Sequence, residues 1–231
     1  MAPPVVGLLR ANPVFADVPA RELASLAALV REDHYRAREF VFNEGEPALW
    51  FCLLRSGHVK IVRQTRGGRD VVLELLGPGE PFGGVAVFER RPYPASAQAT
   101  EASAVLKIPQ EPLVALAQRH PSITREMALM IGRRLRGAHE SVTSLAVDPV
   151  ETRLAATLVR LAEREGGRGP RGVALPRLTR QSLADMTGTT VETTIRIVSR
   201  WLKARVLVEE GDRLVVKDLD VLRELAAGEP S

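Results

Sequence analysis

The sequence predicts an α+β chain in three successive parts: a barrel or roll of short strands, one long helix, and a winged helix-turn-helix. Three observations carry that expectation. β-type runs separated by turn residues fill much of the first half, an apolar stripe at helical spacing runs from residue 121 to about 145, and two helical patterns bent around Gly188 precede a hairpin signal. The expected boundaries are residues 1–120, 121–147 and 148–231.

A helix is expected within residues 13–29, where Pro19 stands in a first turn and Leu23, Leu26 and Leu29 fall along one side. The runs Phe40-Val-Phe42, Leu49-Trp-Phe-Cys-Leu-Leu54, His58-Val-Lys-Ile-Val62, Asp70-Val-Val-Leu-Glu-Leu-Leu76 and Ala104-Val-Leu-Lys-Ile108 follow. Between them lie Asn43-Glu-Gly-Glu-Pro47, Arg55-Ser-Gly57, Arg66-Gly-Gly68 and Gly77-Pro-Gly-Glu-Pro81, turn chemistry that keeps the strands short. Helical composition resumes at Pro109, and Pro121-Ser122 opens the long helix.

The stripe of that helix is Ile123, Met127, Met130 or Ile131, Leu135, Ala138, Val142 and Leu145. It either packs on the chain's own roll or leaves a spare face for a second copy. Self-association is the expected use, because a lone reading helix gains affinity and register from a symmetric partner. Asp148-Pro149 then breaks the helix and makes a hinge, residues 150–165 form an amphipathic helix, and Gly166-Gly-Arg-Gly-Pro-Arg-Gly172 forms a flexible loop. Residues 219–227 suggest a short terminal helix.

Residues 178–202 carry the chemistry. Thr194, Ile197, Val198 and Trp201 fall at i, i+3, i+4 and i+7 and make one buried face, while Val191, Glu192, Ile195, Arg196 and Ser199 lie opposite. That opposite face suits a DNA major groove: a glutamate accepts from the cytosine amino group, an arginine forks onto guanine, and aliphatic carbons touch a thymine methyl. From Arg177 to Arg205, the cations Arg177, Arg180, Arg196, Arg200, Lys203 and Arg205 outweigh Asp185 and Glu192. A helix pair around a glycine also occurs in ordinary helical cores. What separates the two readings is the hairpin signal of residues 206–216, around Glu-Gly-Asp, directly after the second helix.

Hydrophobic residues make up 45% of the 231 and charged residues 26%, ordinary proportions, and a net charge of +4 favours a polyanionic partner only weakly. The single cysteine, Cys52, excludes an intrachain disulfide and an iron–sulfur cluster ligated within one chain. There is no basic leader followed by an apolar core, and no run nears the roughly eighteen apolar residues of a membrane span. A cytoplasmic protein without a membrane partner is expected. No phosphate loop, metal-spaced His/Asp cluster or nucleophile elbow is present, so neither an enzyme nor a metal site is expected.

Helix, roll, long helix and winged head, in that order, resemble the CRP/FNR family of bacterial transcription regulators over essentially the full chain. The matching stretches are Phe42-Asn-Glu-Gly-Glu-Pro47, Leu54-Arg-Ser-Gly-His-Val-Lys-Ile61, Gly79-Glu-Pro-Phe-Gly-Gly84, Leu178-Thr-Arg-Gln-Ser-Leu183 and Glu192-Thr-Thr-Ile-Arg196. The resemblance implies a double-stranded β-roll of the cyclic-nucleotide-binding type and a homodimer on a near-palindromic promoter site. It also implies an effector in the roll or near the long helix, and RNA polymerase as a further partner. Glu192 and Arg196 stand where the family reads a guanine–cytosine pair, and Thr179, Arg180, Gln181, Thr190 and Thr193 where it holds phosphates. Val191 departs from the arginine of the cyclic-AMP receptors and matches the aliphatic residue of the oxygen-sensing branch; Ile195 departs from both. Two aliphatic side chains cannot hydrogen-bond a base, so a T-rich half-site around a G-A core is expected.

Cyclic-AMP receptors hold the nucleotide with a Gly-Glu pair, an Arg-Ser pair and Thr-Ser on the long helix. The corresponding places here hold Gly83-Gly84, then Tyr93-Pro94 or Pro94-Ala95 depending on one gap, and Ala138-His139. Every polar partner is missing, so classical cyclic-nucleotide binding is not expected and the effector is left unknown. Haem is the family's remaining precedent, with His139 as the best-placed histidine and His58, expected near Cys52 across a strand pair, second. For each of His34, His58, His120 and His139 the default is a surface or half-buried residue. Cys52 reads as a small core residue, and Arg90-Arg91 as a solvated turn that leaves an anionic ligand open. Some family members bind DNA with no effector, and a module acting through protein partners is the reading from another class.

Overall fold

Short apolar runs and tight turns produce two four-stranded sheets. The computed structural model describes residues 5–65, 70–165 and 172–228. One unit comprises Met1–Arg63 with Leu75–Ala138, the other Gln64–Glu74 with His139–Ser231. The turn expected at Arg66-Gly-Gly68 and all but Gly172 of the loop expected at 166–172 lie outside the described residues.

Helix α1 (Val5–Ala11), a 3-10 turn (Pro13–Phe15) and α2 (Ala20–Ala27) lead into β1 (Arg31–Tyr35), β2 (Phe40–Phe42), β3 (Trp50–Ser56), β4 (Val59–Gln64), β5 (Asp70–Leu76) and β6 (Pro81–Phe82). Helix α3 (Gly84–Glu89), β7 (Ser96–Ala99), β8 (Ser103–Pro109) and α4 (Gln110–Arg119) follow. The sheets run β1-β8-β3-β6 and β2-β7-β4-β5. Strands β3 and β8 pair antiparallel from Trp50 opposite Pro109 to Ser56 opposite Ala104. Both are buried almost throughout, because α3 and α4 pack on this strand pair and cover the alternate side chains. Phe15, Phe51, Phe82, Leu54, Leu106 and Ile108 form the centre of the core, with Phe15 edge-on to Phe51.

Several expectations change here. The helix expected over 13–29 is a 3-10 turn followed by α2, which ends at Ala27, so Leu23 and Leu26 are buried while Leu29 is 53% exposed. Strand β1 was not legible because Arg-Glu-Asp-His-Tyr has no apolar alternation. As an edge strand on β8 it needs none, and its charges are paired instead. The Nζ of buried Lys107 lies 3.2 Å from Asp33 Oδ2, and Arg31 forks onto the same carboxylate at 2.7 and 2.6 Å. The Arg31 hydrogen bonds and the Lys107 charge together hold the Asp33 carboxyl down at about 2.

Cys52 stands opposite Lys107 and Phe82, not opposite His58. It is fully buried, and burial pushes its thiol up to about 12, which suits a core residue and not a reactive thiol. His58 is buried in the turn before β4, with Nδ1 2.5 Å from Glu101 Oε1. His120 Nε2 lies 2.8 Å from Glu22 Oε1 and His34 Nε2 3.6 Å from Glu32 Oε1. These three imidazoles thus face carboxylates of their own chain.

Helix α5 (Pro121–Val147) is the expected long helix, two residues longer than its apolar stripe suggested. Ile123 and Met127 are not part of a spare face, because both close on the core of the roll. Met130 is half-buried, while Ile131, Leu135 and Val142 are 40%, 54% and 66% exposed. After Asp148 and Pro149 the second unit contains α6 (Val150–Arg164), β9 (Val173–Ala174), α7 (Arg180–Thr187), α8 (Val191–Lys203), β10 (Leu207–Glu210), β11 (Arg213–Val216) and α9 (Leu219–Ala227). Its sheet has the order β10-β11-β9, so the expected hairpin gains a third strand that the sequence did not suggest.

The depressed Asp33 carboxyl has a pH consequence. Its contribution is present above the unfolded aspartate value of about 3.9 and is lost as pH falls toward the folded value. Asp33→Asn is expected to cost about 1–2 kcal/mol at pH 7. In urea titrations at stepped pH, the gap to the wild type should close between about pH 4 and pH 2.

Candidate nucleic-acid interface

Each half of the helix pair is started by a threonine and joined at a glycine. Thr179 Oγ1 accepts from Ser182 N at 3.0 Å and caps α7; Thr190 Oγ1 accepts from Thr193 N at 3.2 Å and caps α8. Gly188, between them, adopts a left-handed conformation at φ 58°, and a Cβ there would stand 2.4 Å from Leu145 Cδ2. The guanidinium of Arg153 on α6 then fixes the turn. Its Nε donates to Thr187 O at 2.9 Å, Nη2 to Gly188 O at 3.3 Å and Nη1 to Asp148 O at 2.7 Å, satisfying carbonyls that a helix end leaves open.

Helix α8 is two-faced as its periodicity predicts. Thr194, Ile197, Val198 and Trp201 are buried, and Trp201 Nε1 donates to Glu151 Oε1 of α6 at 3.1 Å. Glu192, Ile195, Arg196 and Ser199 are exposed, and Val191 is half-buried beside them. Among the described residues, neither Glu192 nor Arg196 makes a side-chain hydrogen bond or an ion pair. Two hydrogen-bonding groups of opposite charge, one helical turn apart and free of protein partners, are equipped to meet base edges.

The residues expected to hold phosphates are placed differently. Thr179 and Thr190 spend their oxygens on capping, and the Thr190 hydroxyl also donates to Thr193 Oγ1 at 3.2 Å. Gln181 Nε2 donates to Asp185 Oδ1 at 2.7 Å. Arg180 Nη2 lies 2.6 Å from Glu209 Oε1 on β10, and Arg177 Nη1 lies 2.9 Å from Asp212 Oδ2 at the hairpin turn. Neither of these pairs, nor the hold of Arg153 on Thr187 and Gly188, was legible in the sequence, since each joins residues some 29 to 35 positions apart.

At the expected effector positions the chain packs on itself. Tyr93 is buried, stacked on Phe42 at 3.7 Å, and its hydroxyl donates to Trp50 O at 2.6 Å. A Cβ on Gly83 would stand 3.1 Å from Tyr93 Cε1, and one on Gly84 2.7 Å from Met127 Cε. Pro94 is exposed, as are Ala138 and His139 on α5. Of the side chains at these positions, the Tyr93 hydroxyl is spent on the backbone of Trp50.

Comparison with known proteins agrees with this anatomy. The profile described as "Cyclic nucleotide-binding domain" matches residues 32–120, and that described as "Crp-like helix-turn-helix domain" matches residues 152–225. The "Fumarate and nitrate reduction regulatory protein" of Salmonella typhi is 30% identical over 80% of this chain and 74% of its own length. The chain belongs to the CRP/FNR family of transcription regulators. Another relative of this CRP/FNR regulator is the "Cyclic AMP receptor protein" of Thermus thermophilus, 28% identical over 95% of this chain and 99% of that one. Among solved structures, the c-di-GMP-responsive regulator CLP of Xanthomonas campestris superposes with a TM-score of 0.70 at 26% identity, covering 87% of this chain and all of that one. FixK2 of Bradyrhizobium japonicum, at 23% identity and a TM-score of 0.75, shares the fold over 87% of this chain and 98% of its own.

The reading helix of this CRP/FNR regulator should depend on its cap. Thr190→Ala is expected to destabilise the protein by about 1 kcal/mol and Thr190→Ser to leave it near the wild type, measured as shifts of the urea midpoint.

Proposed function

We propose that this regulator works as a homodimer that reads a near-palindromic promoter site, with Glu192 and Arg196 of each copy reading a guanine–cytosine pair of the half-site. The observation that carries this reading is the exposure of both side chains, without a protein partner among the described residues, opposite the buried face of α8. Ile195, 46% exposed, and Val191 beside it offer aliphatic carbons for thymine methyls. Thr179, Arg180, Gln181, Thr190 and Thr193 surround the N-termini of α7 and α8, where phosphates are attracted by free N–H groups.

A second copy is the proposed cover for Ile131, Leu135 and Val142 of α5, which leave apolar carbon in water over three helical turns. Two heads related by a two-fold axis then meet half-sites about one DNA turn apart, roughly 34 Å. The signal is proposed to be other than a classical cyclic nucleotide, although relatives carry that name. Tyr93 and Phe42 occupy the place with their own stacked rings, and Gly83 and Gly84 bring no side chain to it. RNA polymerase is the proposed partner at the promoter.

In vitro selection from random duplexes should yield an inverted repeat whose half-site holds a guanine–cytosine pair flanked by thymines. Arg196→Ala and Glu192→Ala should each cost about 1–3 kcal/mol of discrimination at that pair in competition gel shifts. Unchanged discrimination in both variants would overturn the base-reading assignment, and a monomer on the selected duplex in analytical ultracentrifugation would overturn the homodimer.

A further inference from the structure

The charged groups around the reading helix fall into two sets. Arg196, which faces base edges in the proposed reading, has no carboxylate partner among the described residues, and exposed Lys203 and Arg205 at the end of α8 have none either. The cations placed to meet the DNA backbone are instead engaged. Arg180, the first residue of α7, is held by Glu209 at 2.6 Å; Arg177, three residues earlier, by Asp212 at 2.9 Å; and Lys217, just past β11, lies 3.6 Å from Glu210. All three carboxylates belong to the β10–β11 hairpin and its turn.

We propose that this hairpin restrains backbone binding by occupying Arg180 and Arg177, so that the head makes fewer contacts to phosphate than its sequence charge suggests. The inference rests on the DNA-reading assignment above and adds a role for Glu209 and Asp212. The first helix of a helix-turn-helix crosses the phosphate backbone, and its N-terminus attracts anions, so Arg180 stands where a phosphate is expected. A carboxylate already seated on that guanidinium competes with the phosphate. The carboxylates themselves are 56% and 60% exposed, so each pair is screened by solvent and opens at little cost. The result is a graded reduction of affinity and not a block. Phosphate contacts carry no sequence information and dominate non-specific binding, whereas Glu192 and Arg196 are left free for base edges. The hairpin therefore lowers the background of binding to unrelated duplex without touching the reading groups.

The test uses the full chain and a fluorescein-labelled duplex of about 30 base pairs with scrambled sequence, followed by anisotropy between about 50 and 200 mM KCl. Glu209→Gln should raise the association constant about three- to tenfold at 100 mM, and Asp212→Asn should move it the same way. Glu209→Gln should also steepen the slope of log K against log salt by about 0.9, the signature of one further neutralised phosphate. Both effects should vanish when Glu209→Gln is combined with Arg180→Gln, and Glu224→Gln, which removes an exposed charge from α9, should leave the affinity within about twofold. A wild type that binds while Glu209→Gln gains nothing overturns the restraint alone. An equal gain in the Arg180→Gln background, or from Glu224→Gln, also overturns it, because the effect would then be bulk charge. Failure of every chain to bind duplex at 50 mM salt overturns the DNA-reading assignment, and the restraint with it.

Discussion

The azimuth of α8 is the constraint on which the C-terminal unit depends. Successive residues of a helix are 100° apart, so a rotation by one position would carry Glu192 or Arg196 toward the core and bring Trp201 or Ile197 into water. Burial of Thr194, Ile197, Val198 and Trp201 sets the rotation, and the indole hydrogen bond to Glu151 ties it to α6. Arg153 acts on the same alignment from the other end, holding the carbonyls of Thr187 and Gly188 at the turn where α7 gives way to α8. A reading face is useful only if its side chains point the same way in every molecule, and these contacts provide that.

In the roll, the positions Gly83, Gly84 and Tyr93 are taken up by packing. Tyr93 satisfies its hydroxyl on the backbone of Trp50 and its ring on Phe42, and Gly83 and Gly84 at the start of α3 let Tyr93, Phe51 and Met127 close in. Charge inside the unit is handled by pairs internal to the chain: Lys107 with Asp33, and His58 with Glu101. Breaking such a pair by removing one partner leaves an uncompensated charge in the interior.

The head divides its electrostatics by task. In the proposed reading, Glu192 and Arg196 meet base edges and have no side-chain partner among the described residues, whereas Arg177 and Arg180 are shared with carboxylates of the wing. Exposed ion pairs of this kind add little to folding stability, so their effect is better sought in binding. That division separates how tightly the head holds any duplex from how well it distinguishes one duplex from another.

Much of this was legible in the residues. The period-3.6 stripe of α8, the threonines before α7 and α8, Gly188 between them and Asp148-Pro149 after α5 are local signals, since they depend on neighbours within one or two turns. The edge strand β1 and the small-residue strand β7 escaped notice because their partners supply the pairing and no apolar alternation is required. The division of the long stripe, with Ile123 and Met127 closing on the roll while Leu135 and Val142 face water, was invisible because periodicity tells which residues share a side and not what lies against it. The same holds for the site. Composition and spacing established which side chains of α8 look outward. That Arg180 meets Glu209, that Arg177 meets Asp212 and that Tyr93 stacks on Phe42 are contacts between distant segments, and these exist only once the chain has folded.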